Sequence, residues 1–523
     1  MFVYLIGAGP GDPELITCKG LDALSRADVI VYDYLASDVL LGYARADAEK
    51  IYVGKIAGNH AMKQEDINAL LVKKAKEGKI VARLKGGDPY IFGRGGEEGR
   101  ALFDADVPFC EIPGISSTIA GPAYAGIPLT DRTAASSVTI ITGHEDPTKP
   151  DSVHNWDALA KSASTLVFVM GMKNLPEISK NLIHAGMDPQ TPAALVHWGT
   201  TPMQRSLTAT LAELPEAAIR EGFKNPSVIV VGHVVALRDK LNWNEKRPLF
   251  GKTVVVTRSR EQASSMVAML MSLGARVIQF PTISIEAMDN YAVLDNALDK
   301  IDTFDWIIFT SVNGVQHFAR RLREKGKDSR ALAHAKIAAI GPVTRKEVEK
   351  LGIIPDFVPE TFVAEKVAEG LCQFALQGKE ILIPRALESR EVLPQILEQA
   401  GAKVTVAPAY RTVKAHADNS EILKAIEENS LDCISFASSS TVRNFMESVP
   451  ADALQKAGKI CFASIGPITS KTLEEYGLKA DIEPKDYTIP ALLAEITKYF
   501  SKETDIHSPY YQSLLNAAKQ EKL

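Results

Sequence analysis

Through the first 237 residues, short apolar runs alternate with stretches of helical spacing. The runs read VYLIG, ADVIVYD, KIVARLKGG, SSVTIITG, STLVFVMG, PAALVHWG and PSVIVVG. Each is rich in Val and Ile and most end at a glycine, which predicts strands. Strands separated by amphipathic helices predict an α/β domain with a largely parallel sheet. The pattern breaks at Arg238–Pro248, RDKLNWNEKRP, a polar stretch between two apolar runs that reads as a linker. Beyond it the chain repeats itself. KTVVVTRSREQ resembles KEILIPRALESRE, and GARVIQFPTISI resembles GAKVTVAPAYRTV. WIIFTSVNGVQHF pairs with CISFASSSTVRNF, and KIAAIGPVTRKEVEKLGI with KICFASIGPITSKTLEEYGL. Four segments recurring in the same order predict two similar α/β lobes, each too large to be a solenoid unit. The tail from Ser501 onward is polar and reads as a frayed helix.

Composition narrows the class. A chain of 523 residues, 46% of them hydrophobic, can fill several cores, and at about 150 residues per domain three or so domains are expected. The net charge of −5 gives no basic excess, which argues against nonspecific nucleic-acid binding. Cys18, Cys110, Cys372, Cys433 and Cys461 are scattered without a CxxC pair, which predicts neither a disulfide framework nor a metal site. The N-terminus runs straight into a strand with no basic segment, and no apolar run is long enough to span a bilayer. The expectation is a cytoplasmic protein without a membrane association.

Two glycine-rich blocks are the first candidates for chemistry. GAGPGD (7–12) follows a strand, but its G-x-G-x-G spacing departs from the G-x-G-x-x-G of dinucleotide-binding folds. Pro10 lacks the N–H that a pyrophosphate would need, and a helix starting near Pro13-Glu14 begins too late to face one. RLKGGDPYIFGRGGEE (83–98) also ends a strand, so a ligand can approach its backbone closely. Asp88, next to Pro89, is expected to project its carboxylate from the strand end. PGISST (113–118) and AYAGIPLT (123–130) add loops or helix starts, with Ser116 and Ser117 either contacts or N-caps.

In order, GAGPGD, VYDYL, VGKIAG, RLKGGDPYIFGRGGEE, PGISS, GIPLT, VTIITGH, FVMGM and VVALRDKLNW resemble the tetrapyrrole methylase family, specifically its uroporphyrinogen-III C-methyltransferases. The resemblance covers residues 1–244. It implies a non-Rossmann methylase fold of two α/β subdomains, a homodimer, and S-adenosyl-L-methionine as cofactor. Carried over residue by residue, it places Pro10, Gly86, Gly87, Asp88, Ile91, Ser116, Ser117, Met170 and Gly199 at the cofactor. It makes Asp33 the proton acceptor and Lys55 the proton donor. Two departures, Tyr34 where the family has Arg and Asp131 where it has His, bear on how substrate carboxylates are held.

Residues 251–500 resemble uroporphyrinogen-III synthase through VVTRS, FTSVNGV, IGPVT, FASSSTV, IGPIT and PKDYTIPALL. That family's topology implies one lobe from about 251–285 plus 412–500 and another from about 286–411, with 501–523 as a tail. The substrate, hydroxymethylbilane, carries many carboxylates, so hydrogen-bond donors must line a cleft. Ser311, Asn313, Thr344, Ser439 and Thr469, at strand-to-helix turns, are candidates, as are Arg258 and Arg385 at equivalent repeat positions. Tyr487 is a candidate acid. The resemblance implies a bifunctional enzyme of siroheme or cobalamin synthesis that closes hydroxymethylbilane to uroporphyrinogen III and then methylates it twice to precorrin-2. The alternative is a methylase of the same fold with another substrate, joined to a two-lobed binding module without catalysis.

Overall fold

The computed structural model describes all residues except 35–37, 55–61, 144–153, 163, 259, 361–363, 390, 416–417, 451–452, 455–457, 502–508, 510–511, 514–515 and 517–523. The chain forms two compact units. One is Met1–Gly251 with Leu273–Arg276, the other Lys252–Ser272 with Val277–Leu523.

The first unit holds two five-stranded sheets. In the first, β1 (Phe2–Gly7), β2 (Val29–Tyr32), β3 (Glu49–Tyr52), β4 (Ile80–Lys85) and β5 (Phe109–Ile112) stand in the order β3-β2-β4-β1-β5, and every pair is parallel. Alternate residues feed opposite cores: Val3, Leu5, Val29, Val31 and Val81 on one face, Ile6, Ile30, Ala82 and Leu84 on the other. A sheet covered on both faces explains why its strands read as continuous apolar runs.

The second sheet corrects the expectation of a largely parallel sheet. It is built from β6 (Val138–Thr142), β7 (Thr165–Val169), β8 (Pro192–His197), β9 (Arg205–Thr210) and β10 (Ser227–Val231), ordered β6-β7-β10-β8-β9. β6 and β7 are parallel, whereas β7/β10, β10/β8 and β8/β9 are antiparallel. The loop from His197 to Arg205 is too short for a crossover, which needs a dozen or more residues.

The polar stretch expected as a linker is also packed. Arg238–Leu241 is a short helix, and Arg238 pairs with Glu245 and donates to the Ala125 carbonyl. Glu245 Oε1 also accepts from Gln204 (2.9 Å) and Ser206 (2.6 Å). Arg238 and Glu245 are thus spent on partners in the first unit, while Asp239, Lys240 and Lys246 are exposed.

The second unit carries the repeat. Its strands are β11 (Thr253–Val256), β12 (Arg276–Gln279), β13 (Ile283–Glu286), β14 (Trp306–Phe309), β15 (Lys336–Ala339), β16 (Glu380–Ala386), β17 (Lys403–Lys414), β18 (Cys433–Phe436) and β19 (Cys461–Ser464). One sheet is β12-β11-β18-β19 and the other β13-β17-β16-β14-β15. β11 lies parallel to β18, with Val254 opposite Cys433. β17 pairs with β16 over its first part and antiparallel to β13 over its last. The repeat extends to single hydrogen bonds. Asp305, before β14, accepts from Lys379 Nζ (2.7 Å) and Glu380 N (2.9 Å). Asp432, before β18, accepts from Lys252 Nζ (2.8 Å) and Thr253 N (2.9 Å). β11 therefore does in one sheet what β16 does in the other. Isolated bridges Ala338–Phe357 and Ala463–Ile482 match in the same way. Among the described residues no helix is long and apolar enough to cross a membrane.

Replacing Asp305 or Asp432 by Ala should cost the second unit similar stability, about 1–3 kcal/mol, since each carboxylate ties a lysine and a strand N–H. The Lys379 hydrogen bond, then that from Glu380, holds the Asp305 carboxyl below the usual range. Its contribution is therefore complete above about pH 4 and lost as pH falls through the lowered value. Denaturant midpoints of both variants at neutral pH, and of the Asp305 variant also in acid, check this, with the Asp305 deficit shrinking in acid.

Candidate functional site

Three loops at the carboxyl ends of β1, β4 and β5 meet so closely that side chains are excluded. A Cβ on Gly7 would lie 2.4 Å from Gly114 Cα, and one on Gly114 would lie 2.2 Å from Gly87 O. Gly9 and Gly87 exchange both backbone hydrogen bonds (2.7 and 3.2 Å) from left-handed conformations, φ +79 and +70. Asp88 joins the loops. Its Oδ1 accepts from Tyr90 N (2.8 Å) and Ile91 N (3.0 Å), and its Oδ2 from Gly114 N (3.0 Å). The carboxylate is 9% exposed and folded back. This corrects the expectation that it projects from the strand end: three N–H donors outweigh the extended geometry that Pro89 favours. GAGPGD turns into a short 3-10 helix at Pro13–Leu15 capped by Asp12, and the α-helix starts only at Cys18.

These loops border a cavity of about 910 Å³ in the first unit. Pro10, Gly86, Gly87, Asp88, Ile91, Ser116, Ser117, Met170 and Gly199 all line it, and so does Asp33. Lys55 lies outside the described residues. Ser116 is the N-cap of the helix Ser117–Tyr124 and accepts from Thr118 N (3.3 Å). Phe92, Arg94, Met170 and Trp198 line the cavity with left-handed backbone, φ +46 to +61. Non-glycine residues adopt this conformation rarely and tend to do so at functional sites. Tyr34 lines the wall edge-on to Trp198, with centroids 5.9 Å apart. Asp131 is not on the wall; its carboxylate closes its own turn on Thr133 N (2.8 Å), Thr133 Oγ1 (2.6 Å) and Ala134 N (3.2 Å). The departure at Asp131 thus falls on a residue whose carboxylate is spent within its own turn.

Asp33, Arg83 and Lys85 bring charge into the wall, joined by Glu98 behind it in a network that the motif reading does not bring together. Arg83 donates Nη2 to Asp33 Oδ2 (3.0 Å) and Nε to Glu98 Oε1 (3.1 Å). Lys85 Nζ reaches the same Glu98 oxygen (2.8 Å). Burial first, then the neighbouring Arg83, pushes the Lys85 ammonium below the usual lysine range, while Glu98 opposes this. The signal in the sequence is Arg-x-Lys inside an apolar strand, which sets two cations on one face.

In the second unit, Ser311 caps the helix Val312–Glu324 through Gly314 N (2.9 Å) and sits 3.0 Å from the Tyr410 hydroxyl. Asn313 is buried. Thr344 and Thr469 occupy the first turns of the helices Pro342–Glu349 and Pro467–Glu475, and are only 5% and 4% exposed. Their neighbours Val343 and Ile468 are exposed instead, at 64% and 65%. Ser439 Oγ donates to Ile468 O (3.3 Å) and accepts from Thr472 Oγ1 (2.8 Å), linking two turns of one sheet. Burial lowers the Arg258 guanidinium from its usual range. Arg385 is buried against Glu391. Tyr487 is exposed, and its ring lies over Gly466. Tyr410, buried beside Ser311 and raised by that burial, escapes sequence reasoning because it reads as a core strand residue. Among the described residues no cluster of His, Cys, Asp and Glu could hold a metal.

Comparison with known proteins fits this division. The family described as Tetrapyrrole (Corrin/Porphyrin) Methylases matches residues 3–215, and Uroporphyrinogen-III synthase HemD matches 264–494. A Porphyrin biosynthesis protein HemD of Ruminiclostridium josui is 38% identical over 95% of this chain and 97% of its own. The chain belongs to this family of porphyrin-biosynthesis proteins, with a tetrapyrrole methylase followed by a uroporphyrinogen-III synthase. A Uroporphyrinogen-III C-methyltransferase of Bacillus subtilis is 43% identical over 67% of this chain and 72% of its own. An S-adenosyl-L-methionine-dependent uroporphyrinogen III methyltransferase of Methanosarcina barkeri is 52% identical over 46% of this chain and 94% of its own. In this methylase the two neighbouring glycines of GRGGEE test the loop packing. A Cβ on Gly95 would meet Pro89 O at 2.6 Å, whereas one on Gly96 meets nothing within 4 Å. Gly95→Ala should cost about 1–3 kcal/mol, and Gly96→Ala, in an exposed helical turn, should gain up to ~1 kcal/mol. Calorimetric midpoints of the two variants check the contrast.

Proposed function

We propose that the first unit transfers two methyl groups from S-adenosyl-L-methionine to uroporphyrinogen III, giving precorrin-2, and that the second closes hydroxymethylbilane to uroporphyrinogen III. The observation that carries the methylase reading is one cavity gathering residues from six separate segments, Pro10 to Gly199. The residues fit the cofactor. Gly87 lines the cavity with φ +70, a conformation that side chains rarely adopt, so bare backbone faces the ligand space. The cofactor supplies an electrophilic methyl on a sulfonium. The chain's part is to align an electron-rich pyrrole carbon in line with it and to exclude water. Asp33, held by Arg83, is the proposed acceptor of the proton that the product must lose. Lys55 as proton donor rests on the resemblance.

For the synthase, support comes from the paired turns after β14, β15, β18 and β19, each opening a helix at the end of a parallel strand. Ser311 and Ser439, with backbone N–H groups of the Gly341 and Gly466 turns, are the donors proposed for substrate carboxylates, and the buried Asn313 supports the Ser311 turn. Thr344 and Thr469 support those turns from the buried side. Arg258, Arg385 and Tyr487 complete the proposed set. The methylase is assigned to 1–244, and the synthase to 251–285 plus 412–500 in one lobe and 286–411 in the other. Both activities fit siroheme or cobalamin synthesis.

Asp88→Ala in the full chain tests the assignment. Loss of a charged acceptor from three N–H groups should weaken S-adenosylhomocysteine binding more than about 100-fold and abolish methylation. Ring closure should stay within about twofold, since distant sites couple weakly. Equal loss of both activities in a folded variant contradicts the division of labour.

A further inference from the structure

Glu98 lies in the first turn of the helix Gly95–Asp104 and is 0% exposed. Its Oε1 gathers three donors: Lys85 Nζ (2.8 Å), Arg83 Nε (3.1 Å) and Gln64 Nε2 (3.2 Å). Its Oε2 is buried without a hydrogen-bond partner among the described residues. Glu98 does not line the cavity, but Gln64, Arg83, Lys85 and Asp33 do. A carboxylate kept merely for stability is a poor choice here. Burying it costs more than an apolar residue of the same size, and leaving one oxygen unsatisfied adds to that cost. What it achieves is placement. Arg83 and Lys85 are both referred to one oxygen atom, and Arg83 passes that position on to Asp33 through Nη2 (3.0 Å). The remaining Arg83 donor, Nη1, is spent on the Val31 and Leu84 carbonyls, so the guanidinium has one orientation that serves all its partners.

We propose that Glu98 is a positioning residue for methylation, fixing the Arg83 fork so that Asp33 faces the reacting carbon and setting the Lys85 ammonium in the cavity wall. The proposal rests on the methylase reading above. With the charge of Glu98 removed, two buried cations share the Asp33 carboxylate, and Lys85 competes with Arg83 for it. Asp33 is then turned from its place while the cofactor loops, built on Asp88 and the glycines, are untouched.

The test uses the full chain with Glu98→Gln and Glu98→Asp. It reads kcat for methylation of uroporphyrinogen III, the Kd of S-adenosylhomocysteine by calorimetry, and ring closure. Glu98→Gln should lower kcat by ~10–100-fold, part of what a positioned base supplies. Kd and ring closure should stay within about twofold, and Glu98→Asp should recover part of the loss. A Kd that weakens in step with kcat makes Glu98 a structural prop and overturns the proposal, as does an unchanged kcat. If Glu98→Gln does not fold, Arg83→Lys keeps the charge but loses the fork and should show the same split; full turnover there also overturns it. Absence of methylation by the unsubstituted chain would count against the functional reading instead.

Discussion

The methylase cavity depends on one carboxylate. Asp88 satisfies three backbone N–H groups from two loops and so holds the end of β4 against the start of the segment after β5. That closeness is possible because Gly7, Gly87 and Gly114 have no side chains to separate them. The strained backbone at Phe92, Arg94, Met170 and Trp198 surrounds the same space. Such conformations persist only where the surrounding packing over-determines them. The glycines permit the approach, Asp88 fixes it, and the buried cations Arg83 and Lys85 put charge in the wall.

The synthase unit solves a different problem by repetition. Each sheet places an aspartate ahead of a strand, a lysine and a strand N–H on that aspartate, and a Ser-capped or Gly-Pro helix start after the strand. Asp305 with Lys379 and Asp432 with Lys252 are the clearest pair. The lysine–aspartate tie across such a long separation explains how β11 joins strands far along the chain. The long β17 lies parallel to β16 over its first part and antiparallel to β13 over its last, so one strand bridges the two halves of its sheet.

Much of this was legible in the sequence, for physical reasons. Glycine at strand ends announces close backbone approach, and the order of the motif blocks carries the family. The repeat was visible because both copies keep the same turn chemistry. What was hidden depends on partners distant in sequence. Arg83, Lys85 and Glu98 look like ordinary strand and helix charges until the fold places them around one oxygen. The 238–248 stretch reads as a linker because Ala125, Gln204 and Ser206, to which Arg238 and Glu245 bond, lie far upstream. The antiparallel strands of the second sheet follow from a loop length that periodicity does not weigh. Thr344 and Thr469 look like cleft donors, yet helix geometry turns them inward and leaves Val343 and Ile468 exposed.

The central claim is that one chain makes a tetrapyrrole and then methylates it. The most direct measurement is to incubate the purified chain with hydroxymethylbilane and S-adenosyl-L-methionine, with no other enzyme, and to read the product by mass spectrometry. The account predicts a cyclised tetrapyrrole carrying two added methyl groups. A product that is cyclised but unmethylated, or a bilane that closes only at its spontaneous rate, would contradict it.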